Sequence, residues 1–340
     1  MPPSDSGDVV AQPVWNAVLD AIERYNELVL QDADLDEEGC RALQAQLIDS
    51  HAAFGGRALC TVLRPNFITP SQHSLMADVC TILGTAGRRV RDWLVAHPEH
   101  WEAWGLGEEE RRLAAIEPGY QYISITGRWD AFLTRGELHF VEFNAEAPTG
   151  IGYNDVLIDF FNRLPVMRQF NRHYWIRPFP CRYRLKDALQ SVYREWGGQH
   201  DPTIAIVDWT DIPTVHEFDI LRDFLRSRGF KTHIADPREL EYRGGILSFQ
   251  GEPIHLVYRR VLVKDCVERP DEVKTLVRAV QDGAVCMINS FRTALIHRKA
   301  LFAMLTGDGA EIPFTAAERE VIQRHVPWTR RVRQGNTTHD

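Results

Sequence analysis

The 340 residues (39.0 kDa) exceed one ordinary core, since single domains run roughly 100–200 residues, and 44% hydrophobic with 25% charged residues is the composition of an ordinary globular protein. A formal net charge of −8 and a pI near 5.9 argue against a general nucleic-acid binder, whose phosphate contacts need a clustered basic excess, while leaving room for a local phosphate site. No run approaches the ~18 apolar residues of a membrane span, and Met1-Pro-Pro-Ser-Asp-Ser-Gly-Asp lacks the regions of a signal peptide, so a cytoplasmic location is the default.

Residues 1–12 read as a polar, disordered tail. Val14–Leu30 places Trp15, Val18, Leu19, Ile22 and Leu28 near helical spacing. Asp36-Glu37-Glu38 opens a second helix to about Ala53, and Thr69-Pro70-Ser71 opens a third over about Gln72–Ala96. The period changes over Tyr120–Phe143, where aromatic and β-branched residues dominate and one break, Thr134-Arg135-Gly136-Glu137, marks a hairpin. Helices follow over about Asp155–Phe161 and Arg184–Trp196, and residues 197–202 form a linker. Thr203–Val207, Val215–Arg228 and Lys231–Ile234 then repeat the strand, helix, strand rhythm of a parallel unit. Short strands at Gly244–Ser248 and Ile254–Tyr258 and a helix at Pro270–Gln281 complete a small Rossmann-like domain over 203–290, without the G-x-G-x-x-G of NAD binding.

The six cysteines form no C-x-x-C pair and are expected to be reduced and mostly buried. None of the thirteen histidines forms a convincing metal or triad motif, and G-x-S-x-G and H-E-x-x-H are absent, which argues against a hydrolase. Chemistry concentrates instead in the hairpin. Gly127-Arg128-Trp129-Asp130 and Val141-Glu142-Phe143-Asn144 each carry two polar residues at i and i+2, and alternate residues of a strand share a face. Arg128, Asp130 and Phe132 thus point one way, as do Phe140, Glu142 and Asn144. A two-residue turn at Arg135-Gly136 sets the two groups on opposite faces; a three-residue loop ending in Gly136 aligns them and puts Arg128 against Glu142, and that register is expected. Asp130, Glu142 and Asn144 offer the hard oxygen ligands that Mg²⁺ prefers, and the planar fork of Arg128 suits phosphate oxygens and the charge that develops in phosphoryl transfer.

The run G-R-W-D, with Glu142 fourteen residues after Arg128 in V-E-F-N-A-E-A-P-T-G, resembles the synthetase domain of glutathionylspermidine synthase and its circularly permuted ATP-grasp relatives, over about residues 100–340. The resemblance implies an α/β (α+β) fold: a helical region with the magnesium-binding half of a permuted ATP-grasp lobe over 13–198, a Rossmann-like pre-ATP-grasp domain over 203–290, and the start of a nucleotide-binding lobe over 291–340. It implies an ATP-dependent carboxylate–amine ligase, forming an amide through an acyl phosphate, with ATP as co-substrate and a small-molecule or peptide carboxylate and an amine as partners. Arg128 is then the catalytic and ATP-contacting arginine, Asp130, Glu142 and Asn144 the Mg²⁺ ligands, and Lys299 a second ATP contact or else a solvated helix lysine. Substrate contacts fall to Thr149 in the loop after the hairpin, to Glu217, which as a first-turn acid is equally a helix-dipole partner, and to Arg260 or Arg259, of which alternation lets only one face inward. The start of the helix after Gly150 and Gly152 is either an anion site or an ordinary cap. Family members continue into V-x-K-P and a glycine-rich loop, K-P-x-x-x-x-G-G; neither occurs before Asp340, so the chain reads as C-terminally truncated, a fragment or a degenerate member. The alternative function is a non-catalytic ATP-grasp-shaped binding or scaffold protein.

Overall fold

The computed structural model describes residues 12–122, 124–134, 137–210, 212, 215–308 and 311–332. Except for Gln12, the tail expected over 1–12 lies outside these residues, as do the turn residues Arg135 and Gly136. Helix α1 (Gln12–Gln31) leads to α2 (Glu37–Asp49), whose first turn is capped by Asp36 Oδ1 accepting from Gly39 N at 2.8 Å. The second helix stops short of the expected Ala53: His51 takes a left-handed φ of 60°, and β1 (Ala53–Phe54) pairs antiparallel with β2 (Arg57–Ala58). A capping box of Thr69 and Gln72 opens α3 (Pro70–Ala96), and α4 (Glu108–Ala114) precedes the hairpin of β3 (Arg128–Leu133) and β4 (Leu138–Asn144).

Three helices follow: α5 (Ile151–Arg163), α6 (Pro165–Phe170) and α7 (Arg182–Trp196). Helix α5 starts four residues before the expected Asp155, because Gly150 at φ 121° turns the chain directly into it. Tyr25, Leu28 and Leu47 of the first two helices pack on Phe160, Phe161 and Phe170 of α5 and α6.

Residues 204–288 hold a four-stranded parallel sheet with its helices. The segment comprises β5 (Ile204–Val207), α8 (Val215–Ser227), β6 (Thr232–Ala235), an antiparallel set β7 (Leu240–Arg243), β8 (Ile246–Phe249) and β9 (Glu252–Pro253), then β10 (Leu256–Arg259), α9 (Val263–Glu268), α10 (Pro270–Gln281) and β11 (Cys286–Ile288). The parallel sheet has the order β11-β10-β5-β6. Ile204, Ile206, Tyr258 and Ile288 pack with α7 and α8 residues, while Ala205, Val207, Val257 and Met287 join the core containing α10. Burial on both faces explains why these strands read as continuous apolar runs. The strand expected from Gly244 begins later: Gly244 and Gly245, at φ 58° and 79°, form the turn between β7 and β8, and β7 is an element beyond those expected.

The chain ends in α11 (Ala300–Ala303) and α12 (Ala316–His325). One apolar cluster joins Leu83 and Leu94 of α3, Leu138 and Phe140 of β4, Val257 of the sheet, Leu301 and Phe302 of α11 and Ile322 of α12. The hairpin is thereby fixed on a core drawn from both ends of the chain. All six cysteines are free, but only Cys266 and Cys286 are fully buried. Among the described residues no helix is long and apolar enough to cross a membrane.

Candidate functional site

The hairpin reaches the required geometry by a different route from the one the sequence indicated. Leu133 pairs with Leu138 and Thr134 N donates to Glu137 O at 2.8 Å, so beside the turn the register is the two-residue one that separates the polar groups. A β-bulge then shifts the pairing by one residue between Asp130 and Ala131, with Val141 the extra residue. Beyond it Asp130 lies opposite Glu142 and Arg128 opposite Asn144, not opposite Glu142. The bulge also moves Phe140 off the face of Glu142. It is buried at 2% exposure and meets Trp129 edge-on at 6.0 Å, while Trp129 stacks on Phe143 at 4.1 Å. One face of the hairpin is thus apolar and anchored, and the other carries Arg128, Asp130, Glu142 and Asn144, exposed or half-buried.

From this face a continuous series of polar contacts runs inward. Asn144 Nδ2 lies 3.4 Å from Asp130 Oδ2, and Arg128 grips Asp130 through Nε at 2.7 Å and Nη2 at 3.1 Å. Lys299 Nζ sits 4.0 Å from Glu142 Oε2 and donates to Val141 O, so the lysine from the far end of the chain stands beside the bulge. Arg128 Nη1 donates to Thr149 O at 3.0 Å, and Arg260 Nη2 donates to Thr149 Oγ1 at 3.2 Å. Two guanidinium groups therefore hold Thr149 from either side. Arg260 also donates to Pro148 O at 2.6 Å and pairs with Glu217 at 3.5 Å.

Glu217 is placed deeper than a substrate contact. At 1% exposure it accepts from Gly150 N at 2.7 Å and Gly152 N at 3.0 Å, so the anion at the start of α5 is this carboxylate. A Cβ on Gly152 would come within 3.1 Å of Glu217 Cγ, which is why glycine stands where α5 meets α8. Arg260 is fully buried; desolvation draws its pKa down, and Tyr258, Glu217 and Asp208 more than offset this, leaving it raised and the charge secure. Of the arginine pair, Arg260 faces the loop. Arg259 turns to the interior, donating to Asn289 O, Val261 O, Ser290 O and Thr293 Oγ1, with Glu146 at 3.9 Å.

Two residues not assigned roles from the sequence hold this loop. Buried Asn289 donates through Nδ2 to Thr126 O, Ala145 O and Glu146 O and accepts from Ile125 N and Thr126 N, joining both strands' outer ends to the sheet. Buried Glu146 accepts from Val263 N at 3.1 Å at the start of α9. Of the acidic loop after β5, Asp211, Pro213 and Thr214 lie outside the described residues, whereas Asp208 is buried and accepts from Trp209 N at 2.9 Å.

Burial pushes the Asp208 carboxyl up to about 6, against the opposing pull of the Trp209 N–H and Arg260. A folded-state value above the unfolded ~3.9 means that the proton is held more tightly in the native protein, so this contribution to stability is complete below about pH 4 and is lost as pH rises through 6. Asp208→Asn is therefore expected to gain about 1–3 kcal/mol over wild type at pH 8, with no advantage at pH 4, in denaturant unfolding. An equal difference at both pH values would contradict the assignment.

No family model and no curated protein matches this chain. Among solved structures it is similar to the apo form of a glutathione synthetase-like effector (GSS30) from Globodera pallida, with a TM-score of 0.52 and 12% identity over 93% of this chain and 71% of that one. The chain has a mixed helix-and-sheet α/β fold that it shares with that structure. At this identity the likeness concerns architecture.

Proposed function

We propose that this chain carries the magnesium-triphosphate face and the carboxylate-binding loop of an ATP-dependent carboxylate–amine ligase. The single observation that carries the reading is convergence: Asn144, Asp130, Arg128, Thr149, Arg260 and Glu217 fall into one connected series, and the Glu142–Lys299 pair stands beside it, with Glu142 directly across the strands from Asp130. The synthetase-like fold supports it.

The donor set fits Mg²⁺. Two carboxylates stand at cross-strand positions, the Asn144 amide lies beside one of them, and all face solvent, as suits an ion that keeps water and nucleotide phosphates in its shell. Bound there, magnesium and ATP supply an electrophilic γ-phosphoryl group with its charge partly neutralised. The chain's own residues position and bind. Arg128 now forks Asp130 in a solvent-exposed pair, and such pairs are worth only about 0–1 kcal/mol, so exchanging that carboxylate for phosphate oxygens costs little. Lys299 adds a second cation on the same side.

Thr149, held open by Arg128 and Arg260, presents its hydroxyl to the substrate carboxylate, whose oxygen attacks the γ-phosphorus and releases ADP. The amine nitrogen then attacks the acyl carbon of the acyl phosphate, inorganic phosphate leaves, and the nitrogen loses a proton. Glu217 and Arg260 act from below as positioning residues by fixing the 148–152 loop. Positioning and electrostatics supply the catalysis, which is why no nucleophile is needed. Incubating the full protein with ATP, Mg²⁺ and pools of peptide carboxylates and amines tests this. ADP release that requires both partners supports a ligase, and binding of Mg-ATP with no release for any pair favours the scaffold reading.

A further inference from the structure

A second cluster of ligand-bearing side chains lies outside this series. His51 occupies the turn between α2 and β1, and His216 and Asp219 stand three apart on the first turns of α8, so that both reach the same side. The ligand atoms of all three lie within 4.8 Å of one another, and the two Nδ1 atoms are 3.3 Å apart. Two imidazole nitrogens bound tetrahedrally to zinc at ~2.0–2.1 Å are separated by about 3.3 Å. We propose that His51, His216 and Asp219 form a site for a divalent first-row transition ion of the zinc class, with its remaining position open to water.

The chemistry of the donors separates this site from the hairpin. Two imidazoles with one carboxylate select borderline ions such as zinc, whereas the all-oxygen set of the hairpin suits magnesium. The left-handed φ of 60° at His51 closes α2, with Ala52 N donating to Leu47 O, and brings the imidazole against α8 from a segment 165 residues away. Arg222 now contacts Asp219 Oδ1 at 2.7 Å, but its Nε also bonds Asp223 Oδ1 at 2.8 Å. It therefore keeps a carboxylate partner when Asp219 turns to the ion. Because Glu217, next to His216, holds the Gly150 and Gly152 amides, an ion bound here ties the α2–β1 turn to the helix that fixes the loop. The proposal rests on this cluster alone and stands apart from the ligase reading.

The test is calorimetric titration of Zn²⁺ into the full chain after chelator treatment, with thermal unfolding alongside. Wild type is expected to bind one Zn²⁺ per chain and to unfold at a higher temperature with it. His51→Asn, which tolerates the left-handed backbone, and His216→Gln are each expected to weaken binding at least tenfold and to abolish the thermal shift, with unchanged far-ultraviolet circular dichroism. Glu142→Gln is expected to keep the stoichiometry. The proposal is overturned by absence of zinc binding, by binding undiminished in both histidine variants, or by binding lost in Glu142→Gln instead.

Discussion

Glu142→Gln and Asp130→Asn are each expected to lower ADP formation in the full protein by about a hundredfold or more, with folding unchanged. The loss follows from removing one ligand charge where the triphosphate charge must be offset; deleting a single preorganised electrostatic partner costs roughly 10²–10³ in rate. The fold is spared because both side chains point away from the apolar face, which is held by the stack of Trp129 on Phe143 and the burial of Phe140. Exposed isosteric changes of this kind stay within about 0.5 kcal/mol. The two variants differ in one respect. Asp130→Asn also frees the Arg128 fork, whereas Glu142→Gln leaves it in place. A steady-state assay beside an unfolding curve reads both quantities, and turnover equal to wild type would reject the metal assignment.

Asn289→Ala is expected to be the most damaging single change to stability, at about 3–4 kcal/mol. The amide group lies at 0% exposure and serves donors and acceptors on two segments, 125–126 and 145–146: Nδ2 reaches Thr126 O at 2.8 Å, Ala145 O at 3.0 Å and Glu146 O at 2.8 Å, while Oδ1 accepts from Ile125 N at 2.7 Å. Truncation leaves several buried backbone groups without a partner, at roughly 1–3 kcal/mol each. Asn289→Asp is expected to be no milder, since it sets a carboxylate against carbonyl oxygens. Chemical denaturation measures the loss, and a value under about 1 kcal/mol would show that the hairpin and the 145–148 loop are held by other contacts.

Much of this architecture was legible in the sequence because it follows from local periodicity. The continuous apolar runs over 204–207 and 256–258, the helix opening at Thr69-Pro70-Ser71 and the linker that begins at Gly197 lead directly to the elements observed. The i, i+2 spacing of Arg128 with Asp130 and of Glu142 with Asn144 correctly placed each pair on one face, yet the register between the strands was misread. The signal for the bulge was present: Leu138 and Phe140 are apolar at even positions and Phe143 at an odd one, a slip of one residue that an unbulged strand with one apolar face does not show. From the sequence Glu217 is either a substrate contact or a helix-dipole partner. Its distance from α5 in the chain hid the fact that it serves the start of that helix rather than its own. The pairing of His51 with His216 was beyond any spacing rule, because it depends on how α2 stops and how α8 is laid beside it.

The central claim, that the solvent-facing side of the hairpin binds magnesium triphosphate, is tested most directly by titrating ATP into the full protein with and without Mg²⁺, for wild type and Arg128→Ala. The account predicts binding that needs Mg²⁺ and weakens at least tenfold in Arg128→Ala. Binding that is equally tight without the metal, or equally tight without the arginine, would contradict it.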